Sequence, residues 1–224
     1  MLSSQDFEGR TAGAVLFLHV TSRVKTDPHQ ELLREKGGRG FPYLAVMDAE
    51  GEVIATPAAR TIASFESVIG KAARYLQLVQ RDAAGDEDVE FDLFVSRMEL
   101  GLLTYKQARS GKSKLRGLTE EQKDALAVSL LELQVTEVCR SMRSNKDRVQ
   151  AGAQFYRMWR KKSVPRDREV AGSFYEQITY FAEKQKNIKL FREAMDRYAV
   201  VAPEGDTKDR VLGRMNSKLR KLRS

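Results

Sequence analysis

Apolar positions along the chain follow two different periods. Up to about residue 57 they come in short runs. "AVLFLHV" (14–20) is apolar with hardly a polar break and predicts a strand buried on both faces. "FPYLAVMD" (41–48) predicts a second strand, "AEG" (49–51) a turn with Gly51 available for positive φ, and "EVIATP" (52–57) the return strand of a hairpin. Between the first two runs, "DPHQELLREKGG" (27–38) predicts a helix. Asp27 is placed to cap it, Pro28 fits its first position, and Gly37–Gly38 end it.

From residue 61 the period becomes helical. Phe65, Val68, Ile69, Ala72, Leu76 and Val79 make one face of a helix over 61–80. "RDAAGDEDVE" (81–90) is polar and is taken as the domain boundary, dividing the chain into 1–82 and 83–224. Beyond it only helices are predicted. They lie over 88–103, after Thr104, over 117–143 behind a Thr119…Gln122 capping box, and over 145–162, which stops near Val164–Pro165. Three more follow, over 167–187, 188–200 and 206–224, the last capped by Asp206 or Thr207. The expected fold class is therefore an α/β part followed by an all-α part of antiparallel helices. No signature recurs at a fixed period.

Composition narrows the chemistry. The chain has 224 residues, and its longest apolar runs fall far short of the ~20 residues that cross a bilayer. "MLSSQDFEGR" lacks the basic start and apolar stretch of a secretory signal, so a cytoplasmic location is expected. Cys139 is the single cysteine, which excludes an internal dithiol. Two histidines, His19 and His29, are too few for a zinc site, and no metal or cofactor is expected. The net charge of +8 is uneven: residues 1–85 hold 10 basic and 10 acidic side chains, and 86–224 hold 29 and 21. The second part thus tolerates a polyanion, although sequence-specific nucleic-acid binding is not expected.

Strand, helix, a strand opening on Gly40-Phe41-Pro42, the "MDAEGEVIA" hairpin and a helix together resemble the C-terminal half of a thioredoxin domain, over roughly residues 10–80. The resemblance implies that Pro42 is a cis-proline at a strand start and that Gly40, Phe41 and Pro42 line a groove for a substrate or partner. It also implies a first strand and a CxxC helix ahead of "AVLFLHV", which residues 1–13 do not supply. That strand would lie between the strands at 14–20 and 42–48. Three outcomes are open: the two strands pair directly, a partner chain inserts a strand, or a longer product carries the segment upstream.

Other residues carry weaker chemistry. Cys139 lies near Val135, Val138 and Met142 in a helix and reads as a buried small hydrophobe rather than a reactive thiol. "FYRMWRKK" (155–162) interleaves aromatic and basic residues, but Phe155, Met158 and Trp159 share a face, as core residues do. Phe174, Ile178 and Phe181 form a similar stripe, and Leu212, Met215, Leu219 and Leu222 make the apolar side of a basic terminal helix. No catalytic set is singled out. The expected function is a non-catalytic protein-binding or scaffold module, with a protein or a second copy as partner. The alternatives are part of a thiol-disulfide oxidoreductase whose CxxC segment lies upstream or in a partner chain, and nucleic-acid binding through the basic helices.

Overall fold

The computed structural model describes residue 9 and residues 14–19, 29–38, 40–57 and 62–223. Two compact units divide the chain, residues 1–103 and 104–224.

In the first unit, the described elements are α1 (Leu32–Glu35), β1 (Val46–Met47), β2 (Val53–Ala55), α2 (Ile62–Ala83) and α3 (Glu90–Glu99). β1 and β2 pair antiparallel, Val46 opposite Ala55 and Met47 opposite Val53, with a bulge between Val46 and Met47. The turn is fixed from both sides. Asp48 N–H donates to the Glu52 carbonyl, and Gly51 N–H (φ +80°) donates to the Asp48 carbonyl. Glu52 N–H donates to the Asp48 carboxylate at 2.7 Å. A two-stranded hairpin is marginal alone. Here α2 lies against both strands, burying Ile54 and Ala55 of β2 and its own Phe65, Val68 and Ala72.

Two expectations change in this unit. Residues 14–19, the described part of the expected strand 14–20, form no strand. Val15, Leu16, Phe17 and Leu18 are 97%, 55%, 67% and 82% exposed. A strand cannot satisfy its own backbone, and no described strand pairs with this segment. The helix expected over 27–38 contracts to the single turn α1, while Asp27 and Pro28 lie outside the described residues.

The boundary also moves. The sequence punctuation at 82/83 falls in the last turn of α2, inside the first unit, where Leu78 of α2 packs on Val89 and Leu93 of the next segment, flanked by Tyr75 and Val79. Arg74–Asp92 (3.3 Å) and Arg81–Asp86 (2.7 Å) tie the same two segments. The division after Leu103 separates charge sharply. Residues 1–103 carry 11 Lys/Arg and 16 Asp/Glu, net −5, and residues 104–224 carry 28 and 15, net +13.

The second unit is helical throughout, as expected: α4 (Tyr105–Gly111), α5 (Glu120–Ser141), α6 (Asn145–Arg160), α7 (Arg168–Lys184), α8 (Ile188–Val201) and α9 (Asp206–Arg223). Capping boxes open α4 (Thr104/Gln107), α5 (Thr119/Gln122) and α6 (Ser144/Asp147). α9 starts at Asp206 itself, one residue before the expected cap allows.

α7 is the centre of the unit. Nine of its 17 residues are buried, the polar Gln177 and Thr179 among them. α6 runs antiparallel to it: Arg148 meets Tyr180, and Phe155 stacks on Phe174 at 5.0 Å. A Cβ on Gly152 would collide with the Gln177 carbonyl and the Phe181 side chain, so this glycine permits the close approach of the two helices. α8 and α9 complete the core through Leu190, Phe191, Ala194 and Tyr198, and through Val211, Met215 and Leu219.

Candidate functional site

Phe41–Pro42 is a cis peptide bond, the isomer expected at this position. The turn that carries it is braced from behind. The Tyr43 hydroxyl donates to the Lys36 carbonyl at 2.7 Å, and Lys36 reaches Glu52 across the hairpin at 3.5 Å. Gly38 sits where any Cβ would meet Leu33 and Tyr43, which packs α1 against the chain entering β1. Gly40, Phe41 and Pro42 are exposed, and Phe41 keeps 67% of its surface in solvent. Nothing lies within 4 Å of a Cβ built on Gly40. The structure therefore brings the three expected site residues together on one open edge. It offers a ring face and backbone groups for contact, and no nucleophile or acid–base pair among its described residues.

The other sequence candidates resolve toward packing. Cys139 is half-buried against the helical core. Burial, helped by the Glu176 charge, pushes its thiol up to about 11, against a smaller downward pull from Arg148. A thiol in that setting is a poor nucleophile. Phe155 and Phe174 are wholly buried, and Met158, Trp159 and Phe181 pack on the same core. The apolar side of α9 docks there too. His29 is exposed. The His19 Nε2 is buried without a hydrogen-bond partner among the described residues.

One convergence was invisible in the sequence. The Tyr180 ring, in α7, has Arg148 of α6 at 4.1 Å, Lys184 at 5.3 Å and Lys218 of α9 at 5.6 Å from its centroid. Arg148 donates to Gln177 Oε1 at 3.0 Å and pairs with Glu176 at 3.7 Å, and Lys218 pairs with Glu183 at 2.6 Å. The cleft beside them is about 80 Å³ and adds Arg214 to its lining. Pockets for drug-sized molecules run to roughly 300–1,000 Å³. The cluster therefore acts as a tie joining three helices rather than a substrate chamber. Its members stand up to 70 residues apart, and no local spacing signals them.

Among the described residues no group of three or more His, Cys, Asp or Glu is placed to hold a metal ion, and no helix is long and apolar enough to cross a membrane. The chain matches no protein-family model, no curated protein and no solved structure.

Proposed function

We propose that the chain is a non-catalytic protein-binding module whose first unit is thioredoxin-like and presents the Gly40–Phe41–Pro42 edge to a protein partner. The observation that carries this is Phe41, a large aromatic left 67% exposed on a turn that is tied to α1 and to the hairpin. A fixed aromatic anchor loses little side-chain freedom on binding, which is why such residues dominate interfaces. The single cysteine supports a role without dithiol chemistry in this chain.

The test places a photo-crosslinking phenylalanine analogue at position 41 and, as a control, at the equally exposed Val200 in the second unit. A discrete protein adduct from position 41 alone is expected. Identical adducts from both positions, or insulin reduction by the purified chain, overturn the reading.

A second reading has its own observation. Residues 15–18 are apolar and lack a pairing strand among the described residues, which supports an oxidoreductase part whose CxxC strand and helix come from upstream or from a partner chain. In a longer product carrying that segment, amides 15–18 should gain hydrogen-exchange protection and insulin should be reduced. Continued rapid exchange at 15–18 rules it out.

A further inference from the structure

The excess charge of the second unit is not spread evenly over its surface. From Tyr105 to Thr119 the chain holds five basic residues and no acidic one: Lys106, Arg109, Lys112, Lys114 and Arg116. α4 and the 3-10 turn Lys112–Lys114 carry four of them. The inward side of this segment is Ala108, fully buried, with Tyr105, Gly111 and Leu115 half-buried, at spacings of three to four residues. The Glu137 carboxylate of α5 accepts the Tyr105 N–H at 2.7 Å, which pins the start of α4 to α5. All five cations are consequently turned outward and exposed.

They also lack ion-pair partners among the described residues, as Lys186, Lys189 and Arg192 do, whereas Lys123, Arg148, Arg166, Arg168, Lys208 and Lys218 each pair with a carboxylate. The α-helical turn, the 3-10 turn and the extended residues after it, at about 1.5, 2.0 and 3.3 Å per residue, spread the five over about 20 Å, or one charge every ~5 Å. One strand of a nucleic-acid duplex carries a phosphate every ~3.4 Å. Ser110 and Ser113 lie among them, and hydroxyls also donate to phosphate oxygens.

We propose that the outward face of residues 106–116 binds the phosphate backbone of a nucleic acid without reading its sequence. It does so whether or not the Phe41 edge binds a protein. The contacts are electrostatic, one phosphate per cation, with no aromatic side chain exposed on this face to stack on bases.

The test is fluorescence anisotropy of the full chain with a short labelled duplex and a single strand. With five contacts, log K should fall against log salt with a slope of about −4.5 on the duplex and about −3.5 on the single strand. Duplex affinity then drops by about 500-fold between about 50 and 200 mM salt. The variant K106Q/R109Q/K112Q/K114Q/R116Q should lose most of the affinity and of the slope. A variant of equal charge, K186Q/K189Q/R192Q/R197Q/R220Q, changes five exposed cations elsewhere in the unit and should retain both. Circular dichroism of both variants checks that they are folded. The proposal is overturned by absent binding at low salt or by equal losses in the two variants. Tighter binding to phosphatidylserine vesicles or to polyglutamate than to nucleic acid at the same salt also overturns it.

Discussion

The two units turn similar amounts of apolar sequence into different results. In the second, Phe155, Phe174, Phe191 and Ile178 are sealed in one core shared by five helices. In the first, Val15, Phe17 and Leu18 stand in solvent although their sequence is among the most apolar in the chain. The difference lies in where each element finds its hydrogen bonds. A helix closes its backbone bonds within itself and needs a neighbour only for its side chains. A strand needs a neighbour for its backbone first. The helical unit meets its needs from consecutive segments, whereas the hairpin unit pairs two short strands and leaves 14–19 without a pairing strand among the described residues.

That contrast can be broken most forcefully in the helical core. Phe155→Ala or Phe174→Ala should destabilise the second unit by about 3–5 kcal/mol, as buried aromatic truncations do. Urea unfolding followed by Trp159 fluorescence measures it, since the single tryptophan packs on Tyr175 at 5.3 Å. A loss under about 1 kcal/mol would show that the stacked pair is not central.

Cys139 sharpens the comparison chemically. With its thiol pushed to about 11 from an ordinary 9.0, alkylation near pH 8 should be roughly a hundredfold slower in the folded chain than in urea. The folded form holds the proton more tightly than the unfolded form does. Its contribution to stability is therefore full below pH 9.0 and is lost as pH rises through about 11. Equal alkylation rates in both states would contradict the burial.

Glycines in the helices separate packing from propensity. Gly152→Ala should cost about 1–3 kcal/mol, because the new methyl meets the Gln177 backbone. At Gly172 the nearest atom to a new Cβ is Ala202 Cβ at 3.6 Å, an ordinary contact. Gly172→Ala should therefore be neutral or stabilise by up to about 1 kcal/mol through helix propensity. Thermal melts of the two variants that move in the same direction would refute the close approach of α6 and α7 at Gly152.

The smallest effect belongs to the hairpin unit. Phe17→Ser and Leu18→Ser should alter stability by no more than about 0.5 kcal/mol, as exposed positions do. A larger loss in urea unfolding would mean that the segment is covered in solution.

Much of the helical unit was legible because its signals are local. Thr119 and Gln122 cap α5 as their spacing requires, and the Phe155–Trp159 and Met215–Leu219 faces point inward. The hairpin was legible for the same reason, with Asp48 and Gly51 fixing the turn. The cis bond at Phe41–Pro42 falls at the place before that hairpin where the resemblance put it. By contrast, "AVLFLHV" gave a strong strand signal with no account of a partner. The acid-rich stretch 81–90 looked like a linker because its polarity hides Val89, the residue that joins it to α2.

Local sequence thus determined where helices start, where the hairpin turns, and that one cysteine forecloses dithiol chemistry within the chain. Each follows from residues within a few positions of one another. Only the tertiary structure decided that more than half of α7 is buried, that Arg148, Lys184 and Lys218 gather over Tyr180, and that the acidic and basic parts divide after Leu103. It also decided that the apolar residues Val15 to Leu18 stand exposed. Pairing and burial are properties of what comes near in space, and a chain's order states that only for neighbours.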